Sequence, residues 1–118
     1  GVTWPLLAPG ISDTTTAVTI PAGAASLRLT VSGLAAEYRC TIQYAVPGGP
    51  WLTARVWTDD AVPQGAEWAD APSWFTHDVQ YSLCPVGVRY RIIFANTSEN
   101  VAARKVGLSI SYLVPSEW

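Results

Sequence analysis

The feature that most constrains this chain is an alternation of apolar and polar residues at period two, dominant from residue 17 to residue 114, with no segment of helical period beside it. Successive side chains of an extended strand point to opposite faces, so this pattern describes strands with one face in a core and the other toward water. Leu27, Leu29 and Val31 alternate with Arg28, Thr30 and Ser32. Tyr38, Cys40, Ile42, Tyr44 and Val46 share a second apolar face, opposite Arg39, Thr41 and Gln43, and Gly48-Gly49 between two prolines ends that run. WLTARVW and WFTHDVQYSL follow. Val88, Tyr90, Ile92 and Phe94 form the next apolar face, and Val106, Leu108, Ile110, Tyr112 and Val114 the last.

Short strands with Gly and Pro punctuation and no helix predict an all-β, antiparallel β-sandwich, jelly-roll-like, of about seven or eight strands. AVTI before Pro21 suits an edge strand, because proline has no N–H to give to a ladder. The 118 residues are enough for one domain. Residues 1–16, GVTWPLLAPGISDTTT, read as an extended N-terminal arm anchored by Trp4, Leu6 and Leu7, and residues 17–118 as the sandwich domain. The last two apolar runs match in period and are expected to pair as an antiparallel hairpin across ANTSENVAARK.

Only 14% of residues are charged, so the surface is not the usual charged mosaic, and apolar surface covered in an oligomer is one way to account for it. The net charge is -2 and the seven cationic residues are scattered, which argues against a nucleic-acid partner. No apolar stretch approaches a membrane span, so membrane insertion is not expected. Cys40 and Cys84 leave a single pairing; a disulfide and two buried thiols are both open readings. There is no CxxC and His77 is the only histidine, so no metal and no cofactor is expected.

Thr58 to Ser73, TDDAVPQGAEWADAPS, joins two strand-like runs, carries four of the nine acidic residues and has Trp68 near its middle. Long loops in compact domains are functional or disordered, and tryptophans within and beside this one favour an ordered binding loop. Six Trp and five Tyr supply rigid amphipathic side chains of the kind that dominate recognition surfaces. In WLTARVW, strict alternation puts Trp51, Thr53, Arg55 and Trp57 on one face, a platform for a sugar ring or another subunit. The competing reading buries Trp57 in the core. The candidate ligand-binding set is therefore Trp51, Arg55, Trp57, Asp60, Trp68, Asp70 and Trp74, with carboxylates orienting what the aromatic rings hold.

No catalytic residues are assigned. His77 and neighbouring acids lack a GxSxG nucleophile motif. Asp59, Asp60, Glu67, Asp70 and Asp78 offer carboxylate pairs such as glycosidases use, but loop acids more often cap turns, and the spacing of a dedicated calcium loop is missing. Asn96-Thr97-Ser98 is a formal glycosylation acceptor, read here as a turn whose side chains bond their own backbone.

TTTAVTIPAGAASLRLTVSGL and VRYRIIFANTSENVAARKVGLSISYL resemble the opening and closing strands of small β-sandwich modules in tailed-phage virion proteins and secreted adhesins; lectins of similar size share the style. The resemblance implies an extracellular or virion-surface location, assembly as a homo-oligomer with a trimer favoured, and binding of a glycan or cell-surface receptor without catalysis. It assigns no residue. The expectation is a non-catalytic binding module. The alternative is a structural assembly or decoration protein whose Trp-rich surfaces are subunit contacts, and a third reading is a small glycoside-active enzyme.

Overall fold

The computed structural model describes residues 2–23, 26–59, 72–82 and 85–113. Among them are nine strands and no helix: β1 (Val2–Leu7), β2 (Ser12–Thr14), β3 (Val18–Thr19), β4 (Ser26–Ala35), β5 (Tyr38–Ala45), β6 (Leu52–Thr58), β7 (Ser73–Tyr81), β8 (Arg89–Asn96) and β9 (Ala103–Leu113). They form two antiparallel sheets, one ordered β1-β9-β4-β7 and the other β2-β8-β5-β6, with β3 also on β8. The inner faces pack on each other as the alternation predicts: Leu27, Leu29, Val31, Val106 and Leu108 from one sheet meet Cys40, Ile42, Ile92 and Phe94 from the other. Each is at most 2% exposed. Burying an apolar side chain of this size stabilises the fold by about 1.5–3 kcal/mol.

The first residues add an edge strand to each sheet. Val2–Leu7 pairs with β9, and Ser12–Thr14 pairs with β8. Leu7 is buried and Trp4 packs partly buried against the core, whereas Leu6 stays exposed. Between β2 and β3, Thr15 continues the ladder: its N–H donates to the Ile92 carbonyl at 2.9 Å, and its Oγ1 accepts from the Ile92 N–H at 3.0 Å. β3 ends just before Pro21, at the sheet edge.

The expected C-terminal hairpin does not form. β8 lies between β5 and the β2/β3 edge, whereas β9 lies between β1 and β4, so the two strands belong to opposite sheets. Matched alternation reports that both strands bury one face. Two strands facing each other across a core show it as well as two hydrogen-bonded neighbours do. A local hairpin does join β5 to β6. Its turn is closed by the Gly49 N–H donating to the Val46 carbonyl at 2.9 Å, with Gly48 at φ 73, a left-handed value that favours glycine.

Asn96 sits where the β8–β9 connection meets the N-terminal strand. Its amide donates to the carbonyls of Leu7 at 3.1 Å and Val101 at 2.9 Å, and its Oδ1 accepts from the Ser98 N–H at 3.1 Å. Ser98 Oγ accepts in turn from the N–H groups of Asn100 and Val101. Asn96 and Ser98 are each 2% exposed, so the first and third side chains of the glycosylation triplet are buried in a satisfied turn network.

Candidate functional site

Two irregularities decide where the aromatic side chains go. On β6, Ile42 pairs with Arg55 while the next residue, Gln43, pairs with Thr53, leaving Ala54 as an extra residue. An extra residue in one strand reverses the alternation beyond it. Trp57 and Arg55, level with the buried Cys40 and Ile42, therefore lie on the inner side, whereas Thr53 and Trp51 lie on the outer side with Gln43. This corrects the single Trp51–Thr53–Arg55–Trp57 platform.

Trp57 is 9% exposed, and its indole stacks on the His77 imidazole at 5.1 Å and 11°. Arg55 is exposed, its guanidinium 5.8 Å from the Trp57 ring centre. Below them, the buried Tyr38 ring stacks on Phe75 at 4.3 Å, and its hydroxyl meets His77 Nε2 at 2.5 Å. Burial, and then the positive charge of Arg55, hold the His77 pKa below its ordinary value. Asp59 Oδ1 accepts the Tyr38 N–H at 2.9 Å, tying the end of β6 to the start of β5. The rim where β6 faces β7 is thus a packed aromatic joint.

The second irregularity is on β9. Ser32 pairs with Gly107 but Leu34 pairs with Arg104, so Gly33 alone opposes Lys105 and Val106. Lys105 takes φ 52, the left-handed conformation that costs an ordinary residue about 1–2 kcal/mol. Its ammonium lies 5.9 Å from the Trp74 ring centre. Trp74 is 67% exposed on β7. Register places Leu6, Arg104, Leu34 and Trp74 in one row across all four strands of that sheet. With Leu6 at 53% exposure, the row is an apolar surface crossed by Arg104, with Lys105 beside it at the Trp74 end. Asp60, Trp68 and Asp70 of the proposed set, and Glu67, lie outside the described residues.

On the outer face of the other sheet, the guanidinium carbons of Arg91 and Arg89 lie 4.1 Å and 5.0 Å from the Trp51 ring centre. Arg91 Nε donates to Gln43 Oε1 at 2.8 Å. Elsewhere, Arg28 grips Asp78 through Nε to Oδ1 at 3.0 Å and Nη2 to Oδ2 at 2.7 Å, which holds the Asp78 carboxyl below the usual carboxylate range. Arg28 also lines a shallow open groove with Ser26, Gln80, Ser111, Tyr112 and Leu113. Cys40 is a free thiol, and burial pushes its pKa up to about 12, away from reactive thiolate. Among the described residues no three His, Cys, Asp or Glu side chains gather as a metal site would require.

No protein family matches the chain, and neither does any curated protein or solved structure. What carries the site argument is therefore this chain's own geometry. Sequence reasoning named Trp74 and Trp51 as candidates but not the side chains that the structure sets beside them: Lys105, Arg104 and Leu34 beside the first, and Arg89 and Arg91 beside the second. The available signal was glycine inside a strand: Gly33 in an otherwise alternating run marks a bulge or a close backbone approach.

Proposed function

We propose that this chain is a non-catalytic binding module, jelly-roll-like and part of a virion or cell-surface oligomer, a trimer favoured, that recognises a glycan or surface receptor outside the cell. The strand orders β1-β9-β4-β7 and β2-β8-β5-β6 support the jelly-roll reading. The observation that carries the function is Trp74, open to solvent over two thirds of its surface with a lysine held beside the ring. An indole face gives the C–H face of a pyranose apolar contact, and the ammonium donates to its hydroxyls. Trp68, Asp60 and Asp70, shortly before Trp74 in the chain, are the proposed partners. The described acids Asp59 and Asp78 hold a backbone N–H and an arginine, which favours binding over acid–base chemistry.

A glycan array followed by calorimetry on the best hit tests this reading. Trp74→Ala should abolish binding with the melting temperature kept. Binding that survives Trp74→Ala and Trp68→Ala removes the site, and silence across a broad panel removes the glycan.

The Leu6–Arg104–Leu34–Trp74 row favours a second reading, in which the same sheet face is a subunit contact of an assembly protein. Light scattering separates the two. Assembly lost in Trp74→Ala supports the contact, whereas an oligomer that persists in Trp74→Ala while glycan binding is lost supports the first reading.

A further inference from the structure

We infer that Trp51, Arg89 and Arg91 form a second binding site, on the outer face of the β2-β8-β5-β6 sheet, for a sugar carrying a carboxylate or a sulfate ester. Arg89 and Arg91 are two residues apart on β8 and so project from the same face. The extra residue at Ala54 brings Trp51 to that face, where both guanidinium carbons lie within 5.0 Å of its ring centre. Gln43 Oε1 accepts a hydrogen bond from Arg91 Nε–H at 2.8 Å, which fixes the fork and leaves its terminal N–H groups for a ligand.

Two guanidinium groups over one ring repel each other, and among the described residues no carboxylate neutralises them: the Arg28–Asp78 ion pair lies on the opposite sheet. The ring's negative face offsets part of that repulsion. An oxyanion offsets the rest, and the planar fork matches carboxylate and sulfate oxygens in pairs. Thr41, Gln43 and Thr53 share this face and suit sugar hydroxyls. A nucleic-acid strand or an anionic membrane would ask for an extended basic surface, whereas this chain has a net charge of -2 and the site offers two cations. The site lies on the opposite sheet from Trp74, so each stands or falls alone.

The test is an NMR titration of the whole chain with N-acetylglucosamine 6-sulfate, glucuronic acid, uncharged N-acetylglucosamine, inorganic sulfate and phosphatidylserine vesicles. The Trp51 indole and the Arg89 and Arg91 side-chain N–H signals should move with an acidic sugar, and the uncharged sugar should bind about tenfold more weakly or worse. Arg89→Gln/Arg91→Gln should abolish the response, and Arg91→Lys, which keeps the charge but not the fork, should weaken it; Trp74→Ala should leave it intact. An equal response to the uncharged sugar, none to either acidic sugar, or an unchanged response in a folded double variant overturns the site. Inorganic sulfate or vesicles binding as tightly as the acidic sugars overturns its assignment to a glycan.

Discussion

The Cα of Val106 lies 3.0 Å from the point that a Cβ on Gly33 would occupy, with the Phe75 ring at 3.2 Å from the same point. This contact seats the β9 bulge on β4, because only a residue without a side chain lets the doubled Lys105–Val106 backbone come so close. Gly33→Ala should destabilise the protein by about 1–3 kcal/mol in urea denaturation, as overpacking does. It should also disturb Trp74, whose neighbour Lys105 is aimed by that bulge.

Lys105 carries strain that its position beside Trp74 would explain. Lys105→Gly relieves the left-handed backbone and should raise stability by roughly 0.5–1 kcal/mol, or leave it level, while weakening ligand binding. A parallel loss of stability and binding would show that the lysine is structural.

Acid should weaken the aromatic joint. The folded pKa of His77 is lowered by burial and by Arg55, so the unfolded chain takes up the proton at higher pH than the folded one. The stabilising contribution is fully present above the ordinary histidine value of about 6.5 and fades as the pH falls through the folded pKa. Melting temperature should drop on acidification across this window, and His77→Gln should flatten that part of the profile.

Asn96→Ala should cost about 1–3 kcal/mol or more, because the carbonyls of Leu7 and Val101 and the Ser98 N–H lose their partner in a buried place. Expression in a glycosylating host should leave Asn96 unmodified by mass spectrometry.

The core prediction separates neighbours on one strand. Ile92 is fully buried and Ile93 only half-buried, so Ile92→Ala should cost about 2–5 kcal/mol and Ile93→Ala much less. Leu108→Ala on β9 should match Ile92→Ala, although the two strands share no ladder.

The outline of the fold was legible because the inner faces of β4, β5, β8 and β9 are built from local alternation. Leu27 to Val31 and Val88 to Phe94 could be read residue by residue. Trp74 and Trp51 were legible as candidates because an indole in a short strand needs an explanation. Their surroundings were not, since Lys105 reaches Trp74 from a strand that follows it by some thirty positions in the chain, and Arg89 reaches Trp51 across a sheet.

By itself the sequence determined that the chain is an all-β sandwich and which residues face its core along the middles of β4, β5, β8 and β9, because period-two burial is a property of each strand alone; Val46 and Tyr112, in phase but at the ends of their runs, are exposed. Tertiary structure decided which strands are neighbours and on which face each tryptophan emerges. Pairing depends on contacts between distant segments: β8 and β9, matched in pattern, end in opposite sheets. Single extra residues at Ala54 and Lys105 reverse the faces beyond them, because with a period of two a slip of one residue turns every later side chain over.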